Sequence, residues 1–230
     1  MNTPTVQAGS LSILLQSMAA GMFGGAGSYG DVLSLDCPWQ NADFCVVDIE
    51  TTGLNCRRDR IISFGAVPVS GGRAIVAEST YTLIKPECRI SEESIKIHAL
   101  RQSDLVDAPT LDECLDDLSS ALDGRFLVAH SAWIERGFLR RALKPHGIRL
   151  LQPILDTATL AQRCLGITPD PGGHQISLEY ASSMLGLPAH TPHHALGDAM
   201  TTAQLFLALA GRISADRPLS VADLAALSHI

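Results

Sequence analysis

The chain has 230 residues, 46% hydrophobic and 18% charged, with a formal net charge of −7. That length supports one domain of ordinary size with a substantial core, and the composition excludes a disordered polymer. The negative balance excludes tight, sequence-blind binding along a duplex, which needs a broad basic face, but leaves room for an acidic metal centre whose cations offset it.

In chain order, no charged side chain appears before Asp31, and the opening stretch ends in the glycine-rich GMFGGAGSYG. Leu11, Leu15, Met18 and Met22 fall at helical spacing. Residues 1–40 are therefore expected to be a loosely ordered extension or a docking helix for a partner or a second subunit. The stretch has no basic leader, and its apolar part is too short to span a bilayer, so no membrane role is expected. Six cysteines are scattered without a CxxC pair. A zinc or disulfide framework is not expected, and the cytoplasm is the expected compartment.

From residue 40 the pattern becomes regular. FCVVDIE (44–50) has the apolar run of a buried strand. Residues 60–69 and 73–84 read as two more strands joined by a tight Ser70-Gly71-Gly72 turn. Thr110, with Glu113 three residues on, has the capping-box pattern and predicts a helix with Leu111, Leu115, Leu118 and Leu122 as its apolar stripe. RFLVAH (125–130) predicts a fourth strand, and a helix runs from about Ala132 to the stop at Pro145. A short strand at 153–155 precedes Asp156, which caps a helix that Gly166 ends. After a loop at 168–175, helices are expected over 177–185 and 194–211. Three strands followed by alternating helices and strands predict an α/β domain with a mixed five-stranded sheet flanked by helices.

Three segments carry candidate chemistry. In VVDIETTGL, Asp48 and Glu50 are two apart, so a strand projects both carboxylates from one face. Burying two like charges together requires a cation or a proton, although a D-x-E pair is also an ordinary polar strand end. The following Thr51-Thr52-Gly53 allows a tight turn whose amides approach a ligand. In HHALGDA, His193 stands five residues before Asp198, which opens an amphipathic helix. Histidine is the side chain best suited to take a proton from water near neutral pH, but His193 is equally readable as a surface residue. In HSAWIERGFL, His130 ends a strand and Glu135 lies in the first turn of a helix, where acidic residues are favoured anyway. Arg136, Arg140 and Lys144 recur every four residues along that helix, and Arg57, Arg58 and Arg60 follow the first segment. Both sets read as phosphate contacts or as solvated faces.

The order and spacing of VVDIETTGL, HSAWIERGFL and HHALGDA resemble the three motifs of the DEDDh 3′–5′ exonucleases, typified by the epsilon proofreading subunit of bacterial DNA polymerase III. The likeness covers about residues 42–211 and includes IKIHAL (95–100). The second motif departs from the family's His-Asn-Ala-x-Phe-Asp: Ser131, Ile134 and Glu135 replace the asparagine, phenylalanine and aspartate.

The resemblance implies an RNase H-like fold over residues 41–212, a C-terminal tail at 213–230, and two Mg²⁺ or Mn²⁺ ions. It implies metal ligation by Asp48, Glu50 and Asp198, with Glu135 as the fourth carboxylate and His193 as general base. Thr51, Thr52, Gly53, Leu54 and His130 are the implied substrate contacts. Four carboxylates balance two divalent cations, and two ions roughly 4 Å apart suit phosphodiester hydrolysis. Oxygen-only ligation favours Mg²⁺ or Mn²⁺ over zinc. The expected partner is the 3′ end of single-stranded nucleic acid, DNA ahead of RNA. Two other readings are a catalytically weakened binding module, suggested by Glu135, and a proofreading accessory of a polymerase. Self-association is left open.

Overall fold

A computed structural model describes residues 33–150, 153–168 and 175–228. The helix expected around Leu11 and most of the 168–175 loop lie outside the described residues. Strands β1 (Phe44–Thr51), β2 (Ile61–Ser70), β3 (Arg73–Ala74), β4 (Thr80–Leu83), β5 (Phe126–Ala129) and β6 (Leu155–Asp156) form one sheet in the order β3-β2-β1-β5-β6. Strand β4 also pairs with β2. The β1–β2, β2–β3 and β2–β4 pairs are antiparallel, while β1–β5 and β5–β6 are parallel. This is the mixed sheet predicted, with one correction: the third expected strand is broken into β3 and β4. Ile75 N donates to the carbonyl of Pro68, so Pro68 turns its carbonyl, and its missing N–H, toward that third position. A proline there removes one rung of the ladder, and the chain leaves the sheet through the 3₁₀ turn Val76–Glu78.

Seven α-helices are found among the described residues: α1 (Glu92–His98), α2 (Leu115–Leu122), α3 (Trp133–Leu143), α4 (Thr157–Leu165), α5 (Leu178–Met184), α6 (Ala195–Ile213) and α7 (Val221–Leu227). Period-two alternation along β1 sends Phe44 and Val46 into a core built with α4, α5, α6 and α7. Cys45, Val47 and Ile49 enter a second core with α2 and α3. Both faces of β1 are covered, which is why its sequence is a continuous apolar run. Helix α6 packs Phe206 against Phe44, with ring centroids 4.9 Å apart.

Helix α2 begins four residues later than the capping pattern suggests. Thr110 N donates to Glu113 Oε2 at 2.7 Å, so the box forms, yet residues 111–114 remain in turns. Helices α1 and α7 were not among the predicted elements. Helix α7 carries its own capping box, Ser220 with Asp223. It brings residues expected to form a tail into the fold, since Leu219, Val221 and Leu224 are buried in the first core. Backbone bonds from Trp39 N to the Leu219 carbonyl (3.0 Å) and from Val221 N to the Cys37 carbonyl (3.1 Å) join this segment to the entering chain. Trp39, just before the expected boundary at residue 40, is buried.

Gly65 on β2 sits opposite Asp48 on β1. A Cβ at Gly65 would overlap the backbone of Ala195 and Leu196, so only glycine lets the start of α6 lie directly on the sheet beside Asp48. We expect Gly65→Ala to lift α6 from the sheet, destabilising the fold by roughly 1–3 kcal/mol as overpacking does. Thermal melting checks this, and an unchanged Tm would mean that the helix does not rest on Gly65.

Candidate active site

The row of residues that begins with Phe44 and Val46 ends with Asp48 and Glu50, so both carboxylates leave β1 on the side that α6 covers. Asp198, in the first turn of α6, completes a group whose ligand oxygens all lie within 4.8 Å of one another. Glu135, in the first turn of α3, is buried, and its Oε2 has no hydrogen-bond partner. Burial raises Asp48 well above the usual carboxylate range, and the charges of Glu135, Glu50 and Asp198 push it further. Burial likewise raises Glu135, with the charges of Asp156 and Glu50 adding to it. Burial and Asp198 push Glu50 up to about 7. Burial pushes Asp198 up to about 6, opposed by the His193 backbone N–H and the His193 ring.

A set of oxygen donors this close, with one buried oxygen left unpaired, is mutually repulsive on its own. Divalent cations would relieve the repulsion and supply the missing partner. The residues fit hard-cation ligation, by Asp48, Glu50 and Asp198 with Glu135 behind them. Zinc, which prefers nitrogen and sulfur donors, suits the set less well.

His193 precedes α6 with φ 58°, in the left-handed region. Its backbone N–H donates to Asp198 Oδ2 at 2.8 Å, and its ring is exposed. The next residue, His194, caps the helix and stacks on Tyr81 of β4 with centroids 4.3 Å apart. A Cβ at Gly197 would overlap the Thr191 carbonyl, so the segment carrying His193 folds closely over the first turn of α6. The imidazole of His193 thus acts on Asp198 from beside it, and among the described residues no partner bonds to its ring.

Of the other expected contacts, His130, Thr51 and Thr52 form hydrogen bonds within the fold. His130 Nε2 donates to the Ile176 carbonyl at 2.8 Å, and Nδ1 lies 3.0 Å from the Thr157 hydroxyl, which itself donates to the Ala129 carbonyl. Burial lowers its pKa, consistent with a neutral ring fully engaged in the fold. Thr51 donates its hydroxyl to the Gly53 carbonyl, and the Thr52 hydroxyl accepts from Arg60 N. Both threonines are buried and shape the turn, whereas Leu54 is 66% exposed. Of the basic residues, Arg57, Arg58, Arg136, Arg140 and Lys144 are exposed, while Arg60 pairs with Glu87 at 3.6 Å.

Two residues near the centre went unread in the sequence. Asp156 was expected only as a helix cap. It does accept from Ala158 N, but also from Ser131 N and Gln175 Nε2, and its charge bears on Glu135. It fastens Ser131, whose φ is 62°, at the turn that delivers Glu135. His98 of IKIHAL donates from Nε2 to the Thr51 carbonyl at 3.3 Å and accepts from Leu100 N, steadying the end of β1. The resemblance of that segment was the one available signal.

Fold and site together define a nuclease-type α/β domain: a mixed sheet with an acidic, oxygen-donor centre at the end of its central strand. The RNase_T exonuclease profile matches residues 45–206, and the chain belongs to that family. It is 36% identical over 176 residues to the PolC-type DNA polymerase III of Thermotoga petrophila, covering 76% of this chain but 12% of that polymerase. It is 34% identical over 168 residues to the DNA polymerase III subunit epsilon of Treponema pallidum, covering 73% of this chain and 76% of that subunit. Its fold is shared with an exonuclease X structure in complex with 5′ overhanging duplex DNA (TM-score 0.62, 22% identity, 81% of this chain and 99% of that one). It is also shared with Escherichia coli exonuclease I bound to a dT13 oligonucleotide (TM-score 0.63, 14% identity, 76% and 41%).

Proposed function

We propose that this chain is a divalent-cation-dependent 3′–5′ exonuclease that releases nucleoside 5′-monophosphates from single-stranded 3′ ends, DNA in preference to RNA. The observation that carries the reading is the approach of the Asp48, Glu50 and Asp198 oxygens, with the unpaired buried oxygen of Glu135, in a chain of the exonuclease family. These four carboxylates would hold the cations, Mg²⁺ or Mn²⁺, which supply Lewis-acid polarisation of the phosphate and charge neutralisation.

The chain's own part in the reaction falls to His193. Its exposed imidazole takes a proton from the water whose oxygen attacks phosphorus. The P–O3′ bond breaks, the freed 3′ oxygen of the shortened strand takes up a proton, and the terminal nucleotide leaves as a 5′-monophosphate. Glu135 and Asp198 keep the acidic centre against the sheet, and the turn ending in Leu54 faces the terminal nucleotide. Residues 41–212 form the exonuclease unit, with 33–40 and 219–227 packed onto it.

A second reading, a proofreading partner of a polymerase, is favoured by the likeness to epsilon and to PolC-type polymerases. The weakened binding module is disfavoured, because Glu135 lies buried beside the cluster rather than turned to solvent. No helix among the described residues is long and apolar enough to cross a membrane. All six cysteines are free thiols, which suits a reducing compartment.

The test is a digestion panel of single- and double-stranded DNA and RNA with Mg²⁺ or Mn²⁺, read as released mononucleotide. Release fastest from single-stranded DNA supports the proposal. No release from any substrate returns the chain to a binding role.

A cation-linked stability follows from the same site. Glu50 and Asp198 are raised from ordinary values of 4.5 and 3.8 to about 7 and about 6. Between those limits the folded state keeps protons that the unfolded chain has released, so these groups cost stability as pH rises through the window. The buried, lowered His98 and His130 act in the opposite sense on acidification. The clean quantity is therefore the Tm shift caused by Mg²⁺ at each pH, which should grow from pH 5 to pH 8 as protons cease to compete for the carboxylates. At a hundredfold excess over Kd the stabilisation is about 2.7 kcal/mol. A melting curve indifferent to millimolar Mg²⁺ or Mn²⁺ at pH 8 would count against the site.

A further inference from the structure

Trp133 is the first residue of α3, two before Glu135, and is 60% exposed. A tryptophan left 60% in water, in the same helical turn as buried Glu135, contributes little to the core. Helical periodicity puts Trp133, Gly137 and Arg141 on one face of α3. That face turns toward the loop that follows the Thr51–Leu54 turn. A Cβ at Gly137 would lie 3.4 Å from the Cys56 Cβ, and Arg141 donates to the Cys56 carbonyl at 2.6 Å. Two turns of the helix are thus fastened to the loop, and Trp133 extends past the fastened part at the end where Glu135 enters the centre. The turn that leads into this loop ends in Leu54, which is 66% exposed. Arg57 on the loop, and Arg136 and Arg140 on the adjoining strip of α3, are exposed as well.

We propose that the indole of Trp133 is a stacking platform for a nucleobase of the strand entering the acidic centre, and that it selects unpaired ends. The inference rests on the exonuclease reading and names the feature of the substrate that the site recognises. An exposed aromatic ring on a helix that also carries exposed guanidinium groups suits single strands, since every base offers a π-face and each phosphate a negative charge. A base within a duplex is stacked on its neighbours and cannot turn onto the indole without unpairing.

The test uses the full chain and two single-stranded oligodeoxynucleotides of equal length, one ordinary and one with abasic sugars at its two 3′-terminal positions. Trp133→Ala should raise KM for the ordinary strand roughly tenfold or more, the range that loss of one base–aromatic stack gives. Trp133→Phe should recover most of that loss. On the abasic strand, parent and Trp133→Ala should have the same KM, because no base is there to stack. Equal loss on both strands, or no loss on either, overturns the proposal.

A second arm needs no turnover. Trp39 is buried, with Nε1 bonded to Ser214, and the chain has two tryptophans, so emission that responds to ligand reports Trp133. With Ca²⁺ as the cation, the ordinary oligodeoxynucleotide should quench the parent and leave Trp133→Leu unchanged. Quenching without release of any mononucleotide by the parent would retain the platform while overturning the exonuclease reading. A parent whose emission does not respond overturns the platform itself.

Discussion

His193→Ala is expected to lower turnover by roughly 10²–10⁴-fold, the usual contribution of a positioned general base, while leaving cation-dependent stabilisation intact. The two effects separate because the two ends of the residue do different work. Its backbone N–H holds Asp198 Oδ2 and survives the substitution, whereas its exposed ring bonds to nothing among the described residues. The left-handed backbone at residue 193 suits histidine better than alanine, so melting without Mg²⁺ checks that the loop keeps its shape. Thermal melting with and without Mg²⁺, beside steady-state kinetics, reads both. Near-normal turnover would remove His193 from the reaction. A lost Mg²⁺ shift would instead make it a ligand.

Glu135 should give the second large effect, with opposite signs in activity and stability. Glu135→Gln keeps the shape of the side chain but deletes one of the charges that push Asp48 upward. In the absence of divalent cation at pH 8, we expect its Tm to rise, because the repulsion is reduced. Turnover should fall by on the order of 10²-fold or more, the scale of loss when a catalytic centre is mispositioned. Glu135→Ala should likewise lose most activity, at the added cost of a cavity. Glu135→Asp retracts the carboxylate by about 1.5 Å, one C–C bond. The backbone here is set for the longer side chain: Asp156 pins Ser131 N, and α3 is fastened to the loop at Cys56. The aspartate variant should therefore be slower than the parent. Parent-like turnover in Glu135→Ala would reduce Glu135 to a helix-start carboxylate.

The reach of the sequence can be judged residue by residue. Asp48 and Glu50 were legible because a strand's period of two is local, and the shared face follows without knowing what covers it. The caps at Asp156 and Ser177 were legible for the same reason. Gly65 was not, since its requirement is imposed by Ala195, 130 residues later in the chain. The break between β3 and β4 could have been read from Pro68 only by knowing which way its carbonyl points. The partners of His130, Thr157 and Ile176, could not be read in the sequence because they reach it through the tertiary fold. The pairing of the segments around Trp39 and Ser220 carries no local periodicity at all, so both were set aside as appendages, although the Ser220–Asp223 capping box was in plain view. In the site, residue types and order were readable; their separations, and the charge of Asp156 beside Glu135, belong to the folded chain alone.

The most direct test of the central claim follows one single-stranded oligodeoxynucleotide, labelled at its 5′ end, through digestion with Mg²⁺ and with EDTA. The account predicts a ladder that shortens one nucleotide at a time from the unlabelled 3′ end, with 5′-monophosphates as the small product, and no change in EDTA. Immediate release of the labelled nucleotide, cleavage at internal positions, or shortening that persists in EDTA would contradict it.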